Sequence, residues 1–387
     1  MRFLFIFVGG RGHFDPLAPV ARAAAASGHT VAVSGGGRHV AGIDRAGFTV
    51  IPTTPPPVAE APSRREPMPP VDPARDDWEI KELFATRGAR TRAEKLLEII
   101  HGWRPDVVIR DEVDFGSAIA AERAGVPCVN VLVLAAGTLL RKELVAEPLH
   151  ALRSEHGLPR DPGLTMLEGQ LVLSPFPLSV RDPASPLPPG AFSFRQAEPV
   201  PPRAPHEKPG VYFTLGTGFN TESGDLIERT LEGLTKLDAH VTATVGTQID
   251  PAVFGPQPPH VHVARFVPQA ELLPSIDLVV SHGGSGSVAG SLAHGLPSIL
   301  FPMGADQPGN ARCTARLGTG VALDPANATP DEIHATAVRL LTEPRWREAA
   351  QRVQEEINAQ PGAEETVPLL EALVTGSFAP GSPRPAP

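Results

Sequence analysis

Apolar positions along this chain follow two alternating rhythms. Short runs that are apolar at almost every position begin with residues 2–8, the pattern of a strand buried on both faces of a parallel sheet. Further runs predict strands at Thr30–Ser34, Phe48–Ile51, Pro105–Asp111, Cys128–Leu132 and Leu171–Leu173. A second series follows at Val211–Thr214, Val241–Val245, Val261–Ala264, Asp277–Val280 and Ile299–Phe301. Between them the spacing turns helical. From Pro16 the apolar Leu17, Val20, Ala21 and Ala24 share one face, and Gly28 ends the segment. Val40–Ala46, Asp76–His101, Phe115–Ala124, Leu139–His156 and Ser223–Leu237 are predicted as helices, as are Ala311–Leu317, Asp331–Leu341, Trp346–Asn358 and Glu364–Val374. Within 76–101, Trp78, Leu83, Leu96, Leu97 and Ile100 are the expected packing residues. Strand–helix alternation of this kind predicts an α/β fold with parallel sheets.

The alternation breaks twice. Residues 52–75 are rich in proline and polar groups and read as a mobile loop. Residues 175–209 hold eleven prolines with almost no periodicity and read as a linker. The expectation is two Rossmann-like β/α/β domains facing a central cleft, one over 1–190 and one over 210–375, with a disordered tail at 376–387.

Composition narrows the classes. A chain of 387 residues with 41% hydrophobic and 20% charged residues is globular in type and long enough for two domains. A net charge of −9 argues against nucleic acid as a partner. Cys128 and Cys313 cannot form a disulfide framework, and a reducing cytoplasm is expected. The apolar N-terminal run is too short for a signal peptide or a membrane span, so no membrane partner is expected. Gly10-x-Gly12-x-x-Asp15 matches the dinucleotide fingerprint poorly, and no acidic residue ends the second strand, which disfavours an NAD enzyme. No phosphate-loop lysine motif and no metal-ligand cluster occurs in the sequence, so neither a metal nor a cofactor is expected. A homodimer is compatible with the sequence but not specified by it.

Candidate chemistry concentrates in residues 262–310. A predicted strand runs into Ser281-His282-Gly283-Gly284-Ser285-Gly286-Ser287, and a helical pattern begins at once. Glycines there let an anion approach free backbone N–H groups at the positive end of a helix. His282, Gly284, Ser285 and Gly286 are assigned to a diphosphate, and Asp306 with Gln307 to sugar hydroxyls. Phe266 and Val267 are expected to flank a planar base, with Gln269 nearby. Gly216 and Thr217, in the turn after the first strand of the second half, are expected to meet the phosphates too. The whole is the composition of a pocket for a nucleotide-diphosphate sugar.

This stretch resembles the donor-binding signature of the family 1, GT-B-fold glycosyltransferases, especially the bacterial enzymes that decorate natural products. An aromatic residue before x-Pro-Gln, a histidine opening a small-residue turn, and an Asp-Gln pair after a Pro-x-x-x run occur here in the same order and spacing. Many members carry a glutamate eight residues after that histidine, on the ribose of a UDP-sugar; here the position is Gly290, which favours a dTDP-sugar as co-substrate. The resemblance also implies the GT-B fold, a last helix returning to the first domain, metal independence, and inversion at the anomeric carbon. It implies a small hydrophobic aglycone as acceptor.

A general base is then required in the first half. His13 lies just past the first strand, on the cleft side of an open sheet, and Gly12-His13-x-x-Pro16 matches the family's catalytic-histidine motif. The fourth strand of the sheet ends Arg110-Asp111-Glu112-Val113-Asp114, so three carboxylates compete to orient the imidazole: Asp111 first, Asp114 second, Glu112 third. The predicted activity is inverting transfer of a (deoxy)sugar from dTDP to a natural product. The alternatives are another GT-B enzyme, either an epimerase or a UDP-dependent transferase, and a silent nucleotide-sugar-binding protein.

Overall fold

The structure is a computed structural model and describes residues 1–55, 68–216 and 218–377. The first half forms a parallel sheet of β1 (Arg2–Ile6), β2 (Thr30–Gly35), β3 (Thr49–Pro52), β4 (Val107–Asp111), β5 (Cys128–Val131), β6 (Leu171–Ser174) and β7 (Phe192–Ser193). Their spatial order is β3-β2-β1-β4-β5-β6-β7. The second half forms a parallel sheet of β8 (Gly210–Thr214), β9 (His240–Thr244), β10 (Val261–Ala264), β11 (Leu278–Ser281), β12 (Ser298–Leu300) and β13 (Gly320–Ala322). It is ordered β10-β9-β8-β11-β12-β13.

The continuous apolar runs have a plain cause. Phe3 and Phe5 of β1 enter one core with Val33 and Ile109, whereas Leu4 and Ile6 enter another with Leu96 and Ile100. Successive strand residues point to opposite faces, and helices cover both. Each sheet also reverses its strand order once. In the first, β1 lies between β2 and β4, with Phe3 opposite Val107; in the second, β8 lies between β9 and β11, with Val211 opposite Leu278. Crevices for ligands open at the carboxyl ends of strands at such reversals.

Three expectations needed correction. The first sheet takes a seventh strand from residues 192–193, beyond residue 190, and Phe176, Val180, Ala191 and Phe194 of the proline-rich stretch are buried. Proline had masked a packed connection, because it removes periodicity without removing burial. The helix predicted over 76–101 is three pieces: Pro73–Trp78, a π-helical segment Glu79–Gly88, and Ala89–Trp103. Five-residue hydrogen bonding shifts the phase of the apolar stripe. Trp78 and Leu83 accordingly stay 50% and 40% exposed, while Leu96 and Ile100 are buried as expected. The helix expected from Ala311 begins at Gln307, with Pro308 accepted in its first turn.

Two segments cross between the halves, and they run together. Arg195 N donates to Pro361 O at 2.9 Å, Arg195 Nη1 to Gln360 O at 2.6 Å, and Asn358 Nδ2 to Val200 O at 2.8 Å. Beyond them the helix Thr366–Thr375 places Val367 and Leu370 in the first core, and its Glu371 meets His29 at 3.0 Å. Among the described residues no helix is long and apolar enough to cross a membrane.

Candidate active site

His13 sits in a four-residue helical turn, Arg11–Phe14, directly after β1, and Asp111 is the last residue of the neighbouring β4. His13 Nδ1 lies 3.3 Å from Asp111 Oδ2, with the imidazole side chain 24% exposed and the carboxylate 0%. Asp111 is fixed by three backbone donors: Val8 N at 2.7 Å, Val113 N at 2.8 Å and Asp114 N at 2.9 Å. Burial opposes a charged imidazole, but the Asp111 carboxylate, helped by Asp306 and Glu112, outweighs it and raises the His13 pKa above its ordinary value.

The three competing carboxylates part company here. Asp114 caps the helix Phe115–Ala124 through Ser117 N and pairs with Arg92. Glu112 turns away and accepts from Val133 N and Leu134 N; burial raises its pKa, with Arg181 and those two N–H groups pulling the other way. Only Asp111 of the three meets His13.

Across the cleft, His282 follows β11 and Gly216 follows the adjacent β8. The imidazole lies between two glycine backbones: a Cβ on Gly216 would stand 2.6 Å from His282 Cε1, and one on Gly284 2.6 Å from Nε2. Glycine is needed at both places because nothing larger lets the ring in. Burial pushes the His282 pKa down to about 4, and the Asp306 carboxylate offsets only part of that. Burial thus favours the neutral form of His282, and its Nδ1 is buried with no partner among the described residues. Gly284 is the N-cap of the helix Ser285–Ala293, and Gly286 is exposed in its first turn. Thr217 lies outside the described residues.

Ser285, Asp306 and the unpredicted Asn310 form one hydrogen-bonded node. Asp306 Oδ2 accepts from Ser285 N at 3.1 Å, Ser285 Oγ at 2.5 Å and Asn310 Nδ2 at 2.8 Å. The loop after β5 joins the node: Ala135 N donates to Ser285 Oγ at 2.7 Å and Ala136 N to Asn310 Oδ1 at 3.1 Å. Asn310 stands four residues beyond Asp306 on one helix, and that spacing was the signal that could have revealed it. The Gln307 side chain is buried, with Oε1 accepting from Met303 N at 2.8 Å, and Gln307 opens its helix directly after Asp306.

Phe266 is 52% exposed, and the Arg11 guanidinium lies 5.7 Å from its ring centroid, a contact between the two halves. Val267 is half-buried beside it. Gln269 lies over Gly290, where an added Cβ would stand 3.3 Å from Gln269 Oε1. The first half also reaches over through Asp76, whose Oδ1 accepts from Ala305 N at 2.9 Å. A cavity of about 310 Å³ opens beside that contact, lined by Arg75, Asp76, Phe219 and Gly304 among others. A larger hollow of about 580 Å³ lies along β13 beside Trp346, away from both histidines.

Two parallel Rossmann-like sheets meeting at their carboxyl ends, with a histidine at each strand reversal, define the GT-B architecture. Comparison with known proteins carries this further. Residues 228–373 match the family described as erythromycin biosynthesis protein CIII-like, C-terminal domain. The chain is 28% identical to the 3-alpha-mycarosylerythronolide B desosaminyl transferase of Saccharopolyspora erythraea, over 97% of this chain and 99% of that one. It is 27% identical to the 10-deoxymethynolide desosaminyltransferase of Streptomyces venezuelae, over 96% of this chain and 97% of that one. The crystal structure of glycosyltransferase VinC in complex with dTDP superposes with a TM-score of 0.75 at 26% identity, covering 97% of this chain and 100% of that one. Over nearly all of its length the chain is thus similar to glycosyltransferases of natural-product biosynthesis, and its fold matches theirs.

Proposed function

We propose that this chain is an inverting, metal-independent glycosyltransferase that moves a (deoxy)sugar from dTDP to a hydroxyl of a small apolar natural product. The observation that carries the reading is the pair of His13 Nδ1 and Asp111 Oδ2 at 3.3 Å, at the strand reversal facing the glycine-lined turn of His282. His13 takes the acceptor proton on Nε2, while Asp111, held by three N–H groups, orients the ring and stabilises the imidazolium. The activated oxygen attacks the anomeric carbon in line, and the departing diphosphate is received by the N-terminus of the helix Ser285–Ala293, with neutral His282 as a donor. Asp306 and Gln307 are assigned to the sugar, the Gln307 amide being held through Oε1 by Met303 N.

The thymidine assignment is supported by Gly290, which offers no carboxylate to a ribose and is overlaid by the Gln269 amide. It is also supported by dTDP in the complex of the similar VinC. The acceptor class follows the names of the two desosaminyl transferases. A thermal-shift comparison tests the donor, because a ligand bound only by the folded state raises Tm. Selective stabilisation by dTDP over UDP, ADP and NAD is expected. A preference for UDP removes the donor assignment, and stabilisation by NAD alone overturns the reading. Retention of configuration in the transferred sugar refutes the in-line step.

A further inference from the structure

Ala305 occupies the left-handed region, φ 56°, immediately before Asp306. A side chain with a Cβ adopts that conformation only at a cost, and something must hold it there. Gly304 before it has φ 154° and packs close to Asp76: an added Cβ would lie 3.2 Å from Asp76 Oδ1 and 3.7 Å from Phe219. The Ala305 N–H exposed by this turn is met at 2.9 Å by Asp76 Oδ1, from the other half of the molecule. Neighbouring Arg75 meets Glu79 at 3.0 Å and reaches across to Glu222 of the second half at 3.7 Å, a further link between the halves beside Asp76.

We propose that Asp76 is a positioning residue for the donor sugar: it holds Ala305 in its left-handed turn and thereby sets the Asp306 carboxylate toward the cleft. The inference rests on the reading that the turn around Asp306 receives the sugar of the donor. Asp76 acts as a hydrogen-bond acceptor for a backbone N–H, and its charge is not what the role requires. Because it belongs to the acceptor-side half, the sugar subsite is complete only when the two halves meet. Nucleotide binding at Gly216, His282 and Gly284 needs no such contact.

Calorimetric titration of the full chain with dTDP and with dTDP-glucose tests this. Asp76→Ala is expected to weaken dTDP-glucose about tenfold, the worth of an unsupported left-handed alanine, while dTDP alone binds as before. Asp76→Asn keeps an oxygen that accepts the same N–H and should bind dTDP-glucose like the unsubstituted protein. Ala305→Gly removes the steric cost of the turn, so the double variant Asp76→Ala, Ala305→Gly should recover most of the lost affinity. An unchanged Tm shows that each variant is folded. The proposal is overturned if Asp76→Ala leaves dTDP-glucose affinity unchanged, or weakens dTDP and dTDP-glucose equally. It is likewise overturned if Asp76→Asn behaves like Asp76→Ala, or if Ala305→Gly restores nothing. Failure of the unsubstituted protein to bind either nucleotide is a different result, which removes the donor reading itself and this inference with it.

Discussion

The strand reversals of the two sheets are built alike and charged differently. Each sets a histidine-bearing turn beside a neighbouring strand: His13 after β1 beside β4, His282 after β11 beside β8. At the first, a carboxylate at 3.3 Å raises the imidazole pKa; at the second, two glycine backbones enclose the ring and burial lowers it. The topology supplies a ledge for a histidine in both places. What the histidine can do is set by what stands next to it, a charge or a desolvating wall. Proton transfer calls for the first environment, and close approach of a polyanion to backbone N–H groups calls for the second.

The most damaging test of this contrast is His13→Ala. Transfer should fall by about 10²–10⁴-fold, the usual worth of a positioned general base, with dTDP affinity unchanged in calorimetry. Equal loss of nucleotide binding would mean that the two reversals do not divide the work. Asp111→Asn comes next, with an expected loss of about 10²-fold. Its pH profile sharpens the comparison. His13 must be neutral to accept a proton, so the rate is lost as pH falls through its raised pKa and reaches a plateau above it. Removing the carboxylate removes the charge that raises that pKa, and the acid limb should move to lower pH. A limb that stays in place would detach Asp111 from the titration. The mildest change is Gly284→Ala, which puts a methyl 2.6 Å from His282 Nε2. Overpacking of this kind should weaken dTDP roughly tenfold and leave the pH profile of transfer where it was. A shifted profile would show that the two histidines communicate.

Much of this contrast was legible in the chain. Two-sided burial writes itself as continuous apolar runs, so the two parallel sheets could be read directly, and the glycines around His282 announced a turn whose backbone an anion could approach. Other parts depend on direction, which composition does not encode. Asp111, Glu112 and Asp114 are chemically near-equivalent in sequence, and only backbone geometry turns one to His13, one to Val133 N, and one to a helix cap. The helix start at Gln307, four residues early, and the bond from Met303 N that holds its amide likewise depend on local geometry. Trp78 and Leu83 fit an α-helical stripe that π winding displaces. Asp76 gave no signal, since its partner is a backbone N–H more than two hundred residues away.

The paired crossings through Arg195 and Pro361 carry a mechanical consequence. One connecting strand would act as a swivel, free to turn in every direction. Two strands laced side by side by Arg195, Val200 and Asn358 act as a piano hinge, with a single axis along the seam. Contacts such as Asp76 with Ala305 and Arg11 with Phe266 tie the same two halves together a second time.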